Sequence, residues 1–234
     1  MSRYLLFLFL VGVGFPFVLH SQNAEIRVLY KESIRFNEFY KLGFDAGPYI
    51  GFGSNDWIRY GIRGSLERKL SDRFAADVGF MYNHVDKDEW LRHEYRPHQS
   101  LYVRFPFLKA LVIKQRFRLE ERFFKVQGES DIDFSTRLRY RISTRSGFNG
   151  KPVQPKALFY AASAEWNMNV IKKSETDARL ERGQYGVGLG YQFNTRWETN
   201  VTWFYQAIYK TEVKSRTSLN IFEFSVRHTL WNKS

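Results

Sequence analysis

Residues 114–123 read KQRFRLEERF, from Lys114 to Phe123. Lys114, Arg116, Arg118, Glu120 and Arg122 share one parity, and Ile113, Phe117, Leu119 and Phe123 share the other. Successive side chains of a β-strand point to opposite faces, so this is a strand with one charged face and one apolar face. The stretch TRLRYRIS from Thr136 repeats the pattern, with Arg137, Arg139 and Arg141 against Leu138, Tyr140 and Ile142.

The same period runs through most of the chain. Ile58, Tyr60, Ile62, Leu66 and Leu70 oppose Arg59, Arg63, Glu67 and Lys69. Leu101, Val103, Phe105 and Phe107 oppose Ser100, Tyr102 and Arg104, and Trp166 and Met168 oppose Glu165 and Asn167. Trp197, Val201 and Trp203 oppose Glu198 and Asn200, and Phe222, Phe224 and Val226 oppose Glu223, Ser225 and Arg227. With a less regular strand near Phe39 to Phe52, the pattern predicts about ten strands, with twelve as the alternative count.

Several of these strands exceed the usual five or six residues, and a tilted membrane-crossing strand needs about 9–11. The connections 70–73, 107–110 and 194–196 read as tight turns. Those at 83–94, 125–131, 171–182 and 210–217 are polar and read as long loops, and the connection 143–156 is long where a short turn is due. Short turns at one end and long loops at the other describe a transmembrane barrel. The expectation is an all-β fold: a single antiparallel transmembrane β-barrel with both ends in the periplasm. Tyr49, Trp57, Tyr82, Tyr95, Trp197, Tyr209 and Trp231 recur near strand ends, where interfacial aromatic girdles lie. The rival is a soluble lipocalin-like barrel with the two faces exchanged.

The 234 residues include no Cys, which excludes a disulfide scaffold, a thiolate metal site and a cysteine nucleophile. Residues 1–20 carry Arg3, an apolar run from Leu5 to Val13 and Pro16 before a polar boundary, the layout of a secretory signal peptide. The division that follows is a cleaved signal at 1–21, a periplasmic lead or extra strand at 22–38, a barrel at 39–231 and a short tail at 232–234.

The runs Arg96-Pro97-His98-Gln99-Ser100-Leu101, Arg116 to Phe123 and Arg137 to Arg141 resemble an outer-membrane barrel family, domain of unknown function 2490. Glu165-Trp166-Asn167, Arg182 and Gly188-Leu189-Gly190-Tyr191 extend the resemblance, which covers roughly Phe39 to Trp231. It implies the outer membrane of a Gram-negative, Bacteroidota-type cell and no established activity.

Parity sends Arg59, Arg63, Glu67, Arg104, Arg116, Arg118, Glu120, Arg122, Arg137, Arg139, Arg141, Glu165, Glu198 and Glu223 into the lumen. Guanidinium groups stay charged and bind carboxylates through planar forks. Three readings follow: a lumen filled by Arg and Glu, a narrow anion-leaning pore, and an enzyme. Glu120 is the one acid in the rows of residues 116–122 and 137–141, so the first reading expects Glu165, with Glu67, Glu198 or Glu223, to supply the remaining counter-charge.

For the enzyme, His98, Glu120, Glu121 and Glu165 are the candidate bases, but His84, His93 and His98 read as solvated loop residues and no metal-ligand spacing occurs. Gly186, Gly188 and Gly190 alternate within a strand and are expected to make room for lumen arginines. The reading is therefore non-enzymatic, without cofactor or metal. The expected partners are outer-membrane lipid and lipopolysaccharide, with the barrel-assembly machinery during biogenesis. An exported barrel meets no nucleic acid, although the formal net charge is +12.

Overall fold

The computed structural model describes residues 23–53, 56–87, 90–108, 111–148, 152–171, 180–209 and 216–231. These segments form eleven strands: β1 (Ala24–Arg35), β2 (Tyr40–Phe52), β3 (Trp57–Lys69), β4 (Phe74–Lys87), β5 (Trp90–Leu108), β6 (Leu111–Val126), β7 (Ile132–Gly147), β8 (Ala157–Ile171), β9 (Leu180–Gln192), β10 (Trp197–Tyr209) and β11 (Arg216–Trp231). Each strand pairs antiparallel with its sequence neighbours, and β1 closes the barrel on β11 in parallel. The seam is continuous, from Ala24 opposite Asn220 to Arg35 opposite Trp231.

This corrects the strand count: neither ten nor twelve holds. Segment 22–38 contains a full strand rather than a lead. Its residues obey the common alternation, with Glu25, Arg27, Leu29 and Lys31 pointing in and Ile26, Val28 and Tyr30 pointing out. Glu32 is the exception on the outer parity. Its Oε2 accepts from the Tyr30 hydroxyl and lies 3.0 Å from His228 Nδ1, and the His228 ring stacks on Trp197.

An odd number of strands also puts Ala24 and Trp231 at opposite ends of the barrel, so the expectation of both ends on one side fails. The strand ends that hand over from β1 to β2, β3 to β4, β5 to β6, β7 to β8 and β9 to β10 fall at the Trp231 end, and those from β2 to β3, β4 to β5, β6 to β7, β8 to β9 and β10 to β11 fall at the Ala24 end. The lengths of the intervals between strands do not separate the two ends. The supposed long loop at 83–94 is mostly strand, because Asn83, Val85, Arg92 and Glu94 keep alternating inward. The long connection at 143–156 shortens to 148–156 in the same way. Segments 1–21 and 232–234 lie outside the described residues.

The faces are the reverse of a soluble protein. Val78, Ile62, Phe80, Val187 and Leu189 are exposed on the outside, while Asp77, Glu94, Arg118, Glu120 and Arg137 are buried inside.

Inside, size is matched across the lumen wall. A Cβ on Gly186 would stand 2.3 Å from Phe204 Cδ1, and one on Gly190 would stand 2.2 Å from Phe159 Cζ. The glycines of β9 therefore accommodate two buried phenyl rings, and the expectation that they accommodate arginines is corrected. Tyr49 and Trp57 also depart from the girdle reading. Both lie on the lumen side beneath Arg59, whose guanidinium carbon is 4.0 Å and 5.4 Å from the two ring centroids. Tyr82, Tyr95 and Trp197 do take the outer parity.

Gly47 lets β2 pass close against the β1 backbone. A Cβ there would lie 1.9 Å from the Val28 carbonyl oxygen, a backbone atom that cannot swing away. Gly47→Ala is expected to prise β1 from β2 and lower stability by about 1–3 kcal/mol. A shift of the urea unfolding midpoint in detergent checks this, and an unchanged midpoint counts against it.

Candidate functional site in the barrel lumen

The central lumen face is built largely from ionised residues because the inward rows carry Arg92, Glu94 and Arg96 on β5, Arg116, Arg118, Glu120 and Arg122 on β6, and Arg137, Arg139 and Arg141 on β7. Arg96 Nη2 lies 2.6 Å from Glu94, and Arg122 Nε reaches the other oxygen of the same carboxylate at 2.8 Å. Arg122 continues to Glu181 at 3.8 Å, and Glu181 meets Arg137 at 3.1 Å. Arg137 and Arg139 each hold one oxygen of Glu120 at 2.6 Å. Arg139 then reaches Glu165 at 2.5 Å, and Arg116 takes the second Glu165 oxygen at 2.6 Å. The result is an unbroken alternation of guanidinium and carboxylate groups over five strands.

Strand order shows which of these contacts leave the wall. Arg122 on β6 and Glu181 on β9 are three strands apart, as are Arg145 on β7 and Glu198 on β10, which meet at 3.0 Å. Arg141 on β7 lies within electrostatic reach of Glu223 on β11, almost diametrically opposite. Arg122–Glu181 and Arg145–Glu198 are braces through the lumen rather than rungs along its wall.

The other expected lumen residues also face inward but join separate groups. Glu67 pairs with Lys41 at 2.7 Å and Arg104 at 3.6 Å. Glu223 pairs with Lys31 at 2.7 Å and Arg27 at 3.9 Å, and Glu198 also holds Arg227 at 3.1 Å. Arg63 is paired with Asp45, and Arg59 lies 3.5 Å from Glu25. Of the expected counter-charges, Glu165 alone forms ion pairs with the arginine rows of β6 and central β7 among the described residues, while Glu223 acts on Arg141 at longer range. Arg122 draws on Glu94 and Arg118 on Asp77, at 3.4 Å.

Glu94 and Glu181 were hidden because they stand at strand ends that resemble loops. Continuing the alternation from Arg96 through Glu94 to Arg92 would have found the first. Glu181 and Arg182 are adjacent yet join each other at 2.5 Å, beside a register shift at Asn167/Met168, which no period-two reading anticipates.

His98 is not a loop residue. It is buried mid-strand on β5, in the same inward row as Ser100 and one strand from Asp77. Ser100 Oγ accepts from Arg118 Nε at 2.8 Å, and Asp77 accepts from the Tyr102 hydroxyl at 2.5 Å. A nucleophile needs a base within hydrogen-bond reach, and His98 Nε2 is without a hydrogen-bond partner. Ser100 and Asp77 are held by Arg118 and Tyr102, and His98 Nε2 is hydrogen-bonded to neither. Glu121 takes the outer parity and does not join Glu120. His93 also faces outward and contacts the Tyr82 hydroxyl at 2.7 Å.

No curated protein and no solved structure matches the chain. A family model described as protein of unknown function, DUF2490, matches residues 28–217. That span takes in Val28–Arg35 of β1, which the sequence resemblance left out, and runs to the start of β11. The chain is therefore a closed β-barrel belonging to the DUF2490 family.

Proposed function

We propose that the protein is an integral outer-membrane barrel without catalytic activity, its lumen held shut by cross-braced arginine and glutamate side chains. The observation that carries this reading is the reversal of the two faces. A barrel is one of only two spanning structures that satisfy every backbone polar group in hydrocarbon, and the outer face here is the apolar one. The buried charges are paired with one another, as charges removed from water must be.

The excess of cations favours a second reading, a narrow pore that prefers anions. Against it stand Arg122–Glu181 and Arg145–Glu198, which occupy the space that ions would cross.

The refolded protein is expected to give a β-type circular dichroism spectrum, heat-modifiable gel migration and no steady conductance in a planar bilayer. Steady conductance with chloride preferred over potassium would transfer support to the pore. Recovery from cells in the soluble periplasmic fraction would remove the membrane reading altogether.

A further inference from the structure

We propose that the lumen holds an oxyanion site at its Trp231 end, centred on Lys114 and suited to inorganic phosphate or a phosphomonoester. Lys114 projects inward from β6 and is exposed, yet it is faced by Arg104 of β5, Arg145 of β7, Arg227 of β11 and Lys41 of β2. Strands β6 and β11 lie across the barrel from one another. An exposed side chain ringed by charges from several walls lies in a water-filled concavity.

The charge balance of that concavity is uneven. Glu67 pairs with Lys41 and Arg104, and Glu198 pairs with Arg145 and Arg227. Five cations therefore share two carboxylates, and Lys114, between the two groups, has no ion-pair partner among the described residues. The central network differs: Arg118 and Arg137 side chains are 4% and 3% exposed, against 37% for Arg104 and 39% for Arg227. Partly enclosed charge must be paired or hydrated, and at this end the missing counter-charge is open to solute.

The donor set selects the anion. Arg104, Arg145 and Arg227 offer planar forks that match the oxygens of phosphate, and Lys114 adds a point charge with rotatable donors. A surplus of three positive charges suits a dianion better than chloride. The site stays the same whether or not the barrel is in a membrane, because the strands themselves enclose the lumen.

The test uses the full refolded chain in zwitterionic micelles, titrated with inorganic phosphate against a chloride background at constant ionic strength. Saturable calorimetric binding and a phosphate-dependent rise in Tm are expected, as for any ligand that binds only the folded state. Lys114→Met is expected to weaken phosphate binding about tenfold or more, the loss of one charge-assisted contact. The same variant should melt higher than wild type in phosphate-free buffer, because it removes an unpaired like charge. Lys114→Arg should retain binding. Lys114→Gln, which removes the charge and keeps a donor, repeats the comparison if Lys114→Met does not refold. Equal effects of phosphate and chloride on the wild type would reduce the result to ionic screening and overturn the proposal. Undiminished binding by the uncharged variants would do the same.

Discussion

Glu120→Ala is expected to destabilise the barrel by about 3–5 kcal/mol, the effect of stripping one partner from a buried ion pair. Both Glu120 oxygens are used, one by Arg137 and one by Arg139, and the Glu120 and Arg137 side chains are each 3% exposed. Removal leaves Arg137 with Glu181 alone and Arg139 with Glu165 alone. Glu120→Gln keeps an acceptor and the volume, so it should be milder. The double change Glu120→Ala with Glu165→Ala takes away both carboxylates that hold Arg139 and should exceed either single change. Urea unfolding followed by heat-modifiable migration reads these differences. If Glu120→Ala unfolds at the wild-type midpoint, the network is hydrated rather than buried and the closed-lumen reading fails. A bilayer recording of the double variant adds an independent readout, since a loosened brace should admit anions where the wild type is silent.

If the outer face meets lipid, as proposed, Leu138→Arg has the next largest expected effect, about 2–4 kcal/mol for a basic residue near the bilayer midplane. Leu138 lies near the middle of β7, between Leu119 of β6 and Met168 of β8 on the outer side. Its neighbour Arg139 points the other way, into Glu120 and Glu165. One residue therefore separates a position where arginine braces the lumen from one where it should oppose insertion. The measurement is the unfolding free energy in lipid vesicles. A variant that stays as stable as wild type and partitions into water would show that the outer face does not meet hydrocarbon.

Most of the lumen was legible because parity is a local property. Arg116, Arg118, Glu120 and Arg122 announce their common face within one short run, and each of them faces inward. What parity could not supply was extent and count. The residues of β1 alternate like the others, but Glu32 falls on the apolar side and interrupts the pattern. Its place becomes intelligible only when β11 brings His228 beside it. Tyr49 and Trp57 misled for a related reason. An aromatic near a strand end fits a membrane interface as readily as a lumen, and only the neighbouring Arg59 and Gly51 decide in favour of the lumen. Pairing across the barrel was the least legible layer. Arg145 with Glu198 depends on closure, which brings together residues far apart in sequence and strands that never touch.

The parallel seam has a practical consequence for handling the molecule. Ala24 stands opposite Asn220, and Trp231 lies further along the same direction, so the two extremities are separated by roughly 35 Å at about 3.3 Å per residue. Joining the end of β11 to the start of β1, as a circular permutation does, would need a linker long enough to run the height of the wall. In exchange, the start of β1 and the end of β11 mark opposite mouths of the barrel, so a label at Ala24 and one at Trp231 would distinguish its two openings within one polypeptide.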